Sequence, residues 1–169
     1  MTHTIRGIGP LTIVVGAACA ATLYLLGSNP LFGRWVLAAL LFAHGWVHLM
    51  FVFPKPPPPK SHVAAAATVW PFDLGSSWLI GQAGLPAAAV RAIGRVLVVI
   101  AFACFLLAAL ATAAVLVPAA WWVASGLLGS ASSILLLAIA FSPTLLLGFG
   151  IDVAVAWLVL AGPWTPVGP

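Results

Sequence analysis

Ile93–Val117 reads IGRVLVVIAFACFLLAALATAAVLV, and beyond Arg95 it carries no charge. Crossing the hydrocarbon core of a bilayer takes about 20 residues of helix, with about 17 the practical minimum, so this stretch is long enough to span. Its neighbours repeat the pattern. Ala119–Phe141 follows directly after Pro118, and Trp35–Phe53 precedes it; both are also long enough. Two shorter apolar runs lie at the flanks, Leu11–Leu26 and Thr144–Ala161. Each is bounded by turn residues, Gly27-Ser28-Asn29-Pro30 after the first and Ser142-Pro143 before the last.

Composition agrees with this reading. The 169 residues are 64% hydrophobic and 5% charged, with a mean hydropathy of +1.23. Globular domains carry roughly a quarter charged residues, so this chain has too few to cover a water-facing surface. A soluble enzyme is excluded. So is nucleic-acid binding, because the six Lys and Arg residues form no basic patch. The expectation is an all-α polytopic transmembrane helix bundle of five spans, one integral membrane domain over residues 1–169. The count falls to four if the first run is a cleaved signal peptide, which Arg6, the apolar run and the small residues Ala18-Cys19-Ala20 would also fit. The five-span form is the one expected. Cys19 and Cys104 both sit in apolar runs without a CxxC pattern and read as small hydrophobes.

With five spans, Arg6, Lys55, Lys60, Arg91 and Arg95 fall on one side and Arg34 alone on the other. The positive-inside rule then puts the N-terminus and the long loop in the cytoplasm and the C-terminus outside. Trp35, Trp121, Trp122 and Trp164 form an aromatic belt at the outer interface of the same threading. The loop, residues 54–90, opens with Pro54-Lys55-Pro56-Pro57-Pro58-Pro59-Lys60, a stiff polyproline II spacer. Further on, Trp70-Pro71-Phe72-Asp73-Leu74-Gly75-Ser76-Ser77-Trp78-Leu79-Ile80 reads as a short segment capped by Asp73, held in the headgroup plane or against a partner.

The informative residues are the ionisable ones inside the spans, His44, His48 and Asp152. A charge at the bilayer centre costs several kcal/mol, about 3 on insertion scales, so such groups face the bundle interior and have partners. His44 and His48 are four apart and share one helix face. At about 1.5 Å per residue, His44 lies about 13 Å from Phe53 and Asp152 about 12 Å from Thr144, similar depths from the same side. Three readings follow. The cluster is a polar packing core in a non-enzymatic accessory or scaffold subunit of a membrane complex. Alternatively His44 and His48 bind a haem or chlorin, or with Asp152 a divalent metal. A third reading is a small proton-coupled carrier. Metalloprotease chemistry fails, because Gly45 stands where HExxH needs its base and the chain has no Glu. No catalytic residue is assigned. Ser125, Gly129 and Ser133, at intervals of four, form a small-residue face that permits close helix approach, within the chain or to another membrane subunit.

The motif His44-Gly45-Trp46-Val47-His48-Leu49, with Trp70-Pro71-Phe72-Asp73-Leu74, Ser77-Trp78-Leu79 and Arg91-Ala92-Ile93-Gly94-Arg95, resembles a group of small bacterial multi-pass membrane proteins with HGxxHL in an early spanning helix. The resemblance implies a helical fold in the bacterial inner membrane and no particular reaction.

Once the native cysteines are replaced, cysteines introduced at Ser61 and Gly168 should label from opposite sides of the membrane. Labelling of both from the same side would overturn the five-span threading.

Overall fold

The computed structural model describes residues 14, 17, 18, 20, 21, 24, 28–53 and 71–161. Every regular element among them is helical. The helices are α1 (Pro30–His48), the single turn α2 (Trp78–Gly81), α3 (Ala87–Ala113), α4 (Trp121–Ile139) and α5 (Leu146–Leu160). Four segments are long and apolar enough to cross a membrane: Leu31–Phe51, Ala87–Ala113, Trp121–Ile139 and Pro143–Leu160. This is the build of an integral membrane protein in contact with lipid. In the first apolar run, the described residues Val14, Ala17, Ala18, Ala20, Ala21 and Tyr24 are helical, as is Ser28 after it. The proline run, Trp70 and Trp164 lie outside the described residues.

Local chemistry sets the boundaries. Asn29 caps α1, its side chain accepting from the Phe32 N–H, and Pro30 occupies the first turn where no donor is needed. A 3-10 turn, Leu49–Phe51, lengthens α1. Helix α3 begins well before the apolar run at Ile93, because the alanines after Pro86 are strong helix formers and the arginines at 91 and 95 sit exposed on its first turns. It stops at Ala114, which adopts the left-handed conformation (φ 55°), four residues short of Pro118.

Helix α3 lies between α1 and α4, and α5 packs on α4 with Asp152 reaching back to α1. The crossings are tight because glycine is placed where backbones meet. A Cβ on Gly45 would lie 2.9 Å from Phe105 Cβ, and one on Gly129 would lie 3.4 Å from the Phe105 ring. Phe105, fully buried on α3, is therefore wedged between α1 and α4. Gly126 likewise admits Val159 of α5, at 3.0 Å from a Cβ. Ser125, Gly129 and Ser133 are all buried, so the small-residue face is used inside the chain and is not left open for a second subunit. Trp35 and Trp121 are exposed as a belt requires, but Trp122 is not: it turns into the core and is only 2% exposed.

The described part of the long loop folds back on the chain's own helices. Leu74 fills the notch at Gly94, where a Cβ would come 2.5 Å from its side chain. Phe72 meets Phe51 edge-on at 5.2 Å. Ser77 Oγ donates to the Ile139 carbonyl (2.6 Å) and Trp78 Nε1 to the Ala138 carbonyl (2.8 Å). These are last-turn carbonyls of α4, which have no partner within the helix. Asp73 caps this segment, as the sequence suggested, through the Gly75 N–H.

Gly45→Ala should lower the thermal midpoint of the detergent-solubilised protein by the equivalent of about 1–3 kcal/mol, as overpacking does. Gly150→Ala, on α5 with nothing within 4 Å of its Cβ, should leave the midpoint unchanged or raise it by about 1 kcal/mol or less.

Candidate functional site

Four side chains from three helices meet in the span. His44 Nε2 lies 2.8 Å from Asp152 Oδ1. Ser133 Oγ lies 2.5 Å from Asp152 Oδ2 and 2.6 Å from His48 Nε2. His48 Nδ1 returns to the His44 carbonyl at 2.8 Å. The depth arithmetic that pairs His44 with Asp152 therefore corresponds to a direct contact across α1 and α5. Ser133 reaches both Asp152 and His48 from α4, a role its place on the small-residue face does not announce.

Phe105 supports both imidazoles. His44 meets its ring edge-on with centroids 4.8 Å apart, and His48 lies nearly parallel to it at 5.9 Å. The two imidazoles stand edge to face at 4.9 Å. Asp152 and Ser133 are fully buried and His48 nearly so, while the His44 side chain is 9% exposed. Of the four, His44 is thus the one closest to the outside of the network.

Hydrogens can be counted around this chain of contacts. A carbonyl only accepts, so His48 Nδ1 carries a hydrogen. The remaining three contacts need one hydrogen each. With Asp152 ionised and both histidines neutral, Ser133 and His44 supply two, one short of the number required. One further proton completes the set. Two positions complete the count: His48 Nε2, with Ser133 donating to a carboxylate, or Asp152 Oδ2, with Ser133 donating to a neutral imidazole. Either arrangement satisfies every contact and leaves the cluster with no net charge, the condition a low-dielectric interior favours. The two differ only by hydrogens moving along His48–Ser133–Asp152.

The order of these groups also bears on reactivity. A nucleophilic serine needs an imidazole between itself and the acid. Here the hydroxyl lies between acid and imidazole, and it is fully buried.

Beside the cluster lies a groove of about 420 Å³ between α1 and α5. His44 and His48 are on its wall, and the rest is almost wholly apolar, including Leu41, Ile151 and Val155, with Thr144 at one end. His44 Nδ1 makes no hydrogen bond among the described residues. No group of three or more His, Cys, Asp or Glu side chains placed to hold a metal ion occurs among them. Cys104 is half-buried on α3 as a free thiol. No family model matches the chain, and neither does any curated protein or solved structure.

Asp152→Asn should fold with stability within about 1 kcal/mol of the native chain, because the amide can accept from His44 and donate to Ser133. Asp152→Ala leaves two buried partners unsatisfied and should cost about 1–3 kcal/mol for each. Thermal unfolding in detergent distinguishes the two outcomes.

Proposed function

We propose that the protein is a non-enzymatic integral membrane protein that binds a lipid-soluble molecule in the α1/α5 groove, with His44 as the polar contact. The supporting observation is the state of His44: one ring nitrogen is held by Asp152, while the other has no hydrogen bond among the described residues, on the wall of an apolar groove. A volume of about 420 Å³ falls within the usual range for small-molecule sites, roughly 300–1,000 Å³, and a few polar groups in an apolar lining is their usual composition. Asp152 orients the imidazole much as a carboxylate orients a binding histidine elsewhere.

Location and orientation belong to the same proposal. The described part of the loop, α3's exposed Arg91 and Arg95, and the ends of α1 and α4 gather at one end of the bundle. The cation bias supports a cytoplasmic position for this end, and the HGxxHL resemblance supports a bacterial inner membrane. A purely structural role draws on a different observation, that the His44–Asp152–Ser133–His48 chain ties three helices together with every contact completed.

The two roles separate by filling the groove. Ala154 is an exposed residue of α5 on the groove wall. Solvent extraction and mass spectrometry of the purified native chain should recover a lipophilic compound, other than bulk phospholipid, near one per chain. Ala154→Phe should lose it with unchanged thermal stability. Recovery of bulk phospholipid alone from both proteins would leave only the structural role.

A further inference from the structure

The proton count constrains what the groove can hold. In both neutral arrangements, His44 carries its single ring hydrogen on Nε2, where Asp152 Oδ1 lies at 2.8 Å. Nδ1 is then a bare lone pair, an acceptor. Making it a donor would require either a second proton on the ring, which leaves a contact of Ser133 without a hydrogen or the cluster with a net positive charge, or the reversal of the His44–Asp152 bond, which adds a net positive charge; each is costly inside the span. A groove whose free polar atom is an acceptor selects for a ligand that brings a hydrogen.

We infer that the groove takes a lipid-soluble phenol or hydroquinone, whose hydroxyl donates to His44 Nδ1, in preference to the corresponding quinone, which has only acceptors. This rests on the groove being a ligand site, as proposed above. Depth and lining narrow the class. His44 lies about 10 Å of helix rise from Phe51 at the end of its span, so the donor must enter the hydrocarbon and not stay at the headgroups. No Lys or Arg among the described residues lines the groove, and these residues offer nothing to hold a charged head. An uncharged ring with an acidic hydroxyl and an apolar tail meets both conditions. Burying an unpaired carbonyl against a lone pair is the penalty that rejects the oxidised form.

The test uses the full chain in detergent, with a decyl-substituted benzoquinol and its quinone as the probe pair. Nitrogen-labelled histidine NMR should show the His44 Nδ1 resonance moving with quinol, and the quinol should bind about tenfold tighter than the quinone, the worth of one hydrogen bond. His44→Phe, which keeps a ring and removes both nitrogens, should bind the two forms equally. The native titration alone carries the test should that variant fail to fold. Equal binding of both forms by the native chain, abolished by Ala154→Phe, would overturn donor selection while leaving the groove a ligand site. Binding of neither form would overturn this inference, and recovery of no compound by extraction would overturn the ligand site beneath it. A tetrapyrrole absorbance band on the purified protein would assign the Nδ1 lone pair to a metal centre and overturn the inference as well.

Discussion

Asp152 is a carboxyl group with no exposed surface, set in the middle of a helix whose other face is in lipid. A lone carboxylate there would be untenable, and much of the bundle's arrangement can be understood as its accommodation. It needs hydrogen-bond partners on both oxygens, and they come from α1 and α4, helices on either side of α3. His44 and Ser133 must therefore reach the same depth as Asp152. That requirement fixes the vertical register of α1, α4 and α5 relative to one another, a matter on which apolar side chains say little because lipid and helix core are equally greasy.

Register alone would not bring the helices close enough. Phe105 supplies the spacing: it sits on α3 between Gly45 and Gly129, and its ring backs both imidazoles. Any side chain at Gly45 would push α1 off α3 and carry His44 and His48, on the neighbouring turns, away from Asp152 and Ser133. Packing and polar chemistry are thus one constraint at this point. Stability gained at the glycine crossings is what holds the hydrogen-bond chain at 2.5–2.8 Å.

The spans were legible from length and hydropathy, since a bilayer imposes a minimum helix length on any sequence that crosses it. The His44–Asp152 pairing was legible for the same reason: rise per residue converts sequence position into depth. Ser133 was not, because a small residue on a helix face serves close packing and hydrogen bonding alike, and only the position of α1 decides between them. Its depth, about 9 Å of rise from Ile139, was available as a signal. Trp122 was misassigned to the interface belt because adjacent tryptophans on a helix point about 100° apart, and Trp121 took the outward direction. The return of Leu74, Ser77 and Trp78 onto the bundle has no periodic signature; it depends on a glycine notch and two orphan carbonyls that exist only once α3 and α4 are folded.

That returning segment bears on how a ligand would reach His44. Phe72 stacks edge-on against Phe51, and both lie on the lining of the groove, at the end where α1 runs out. The same segment is fastened to α4 by Ser77 and Trp78 and to α3 by Leu74, so it occupies the end of the bundle as a plug with three points of attachment. Along the side, by contrast, the described residues of α1 and α5 leave the groove between them, with His44–Asp152 the polar contact across it. A molecule passing between them leaves lipid for another apolar environment and exchanges only its hydroxyl's surroundings. Entry past Phe72 would require undoing aromatic packing and two hydrogen bonds. Among the described residues, the route that leaves this packing intact runs between α1 and α5, and a lipid-soluble ligand of the kind proposed would take it.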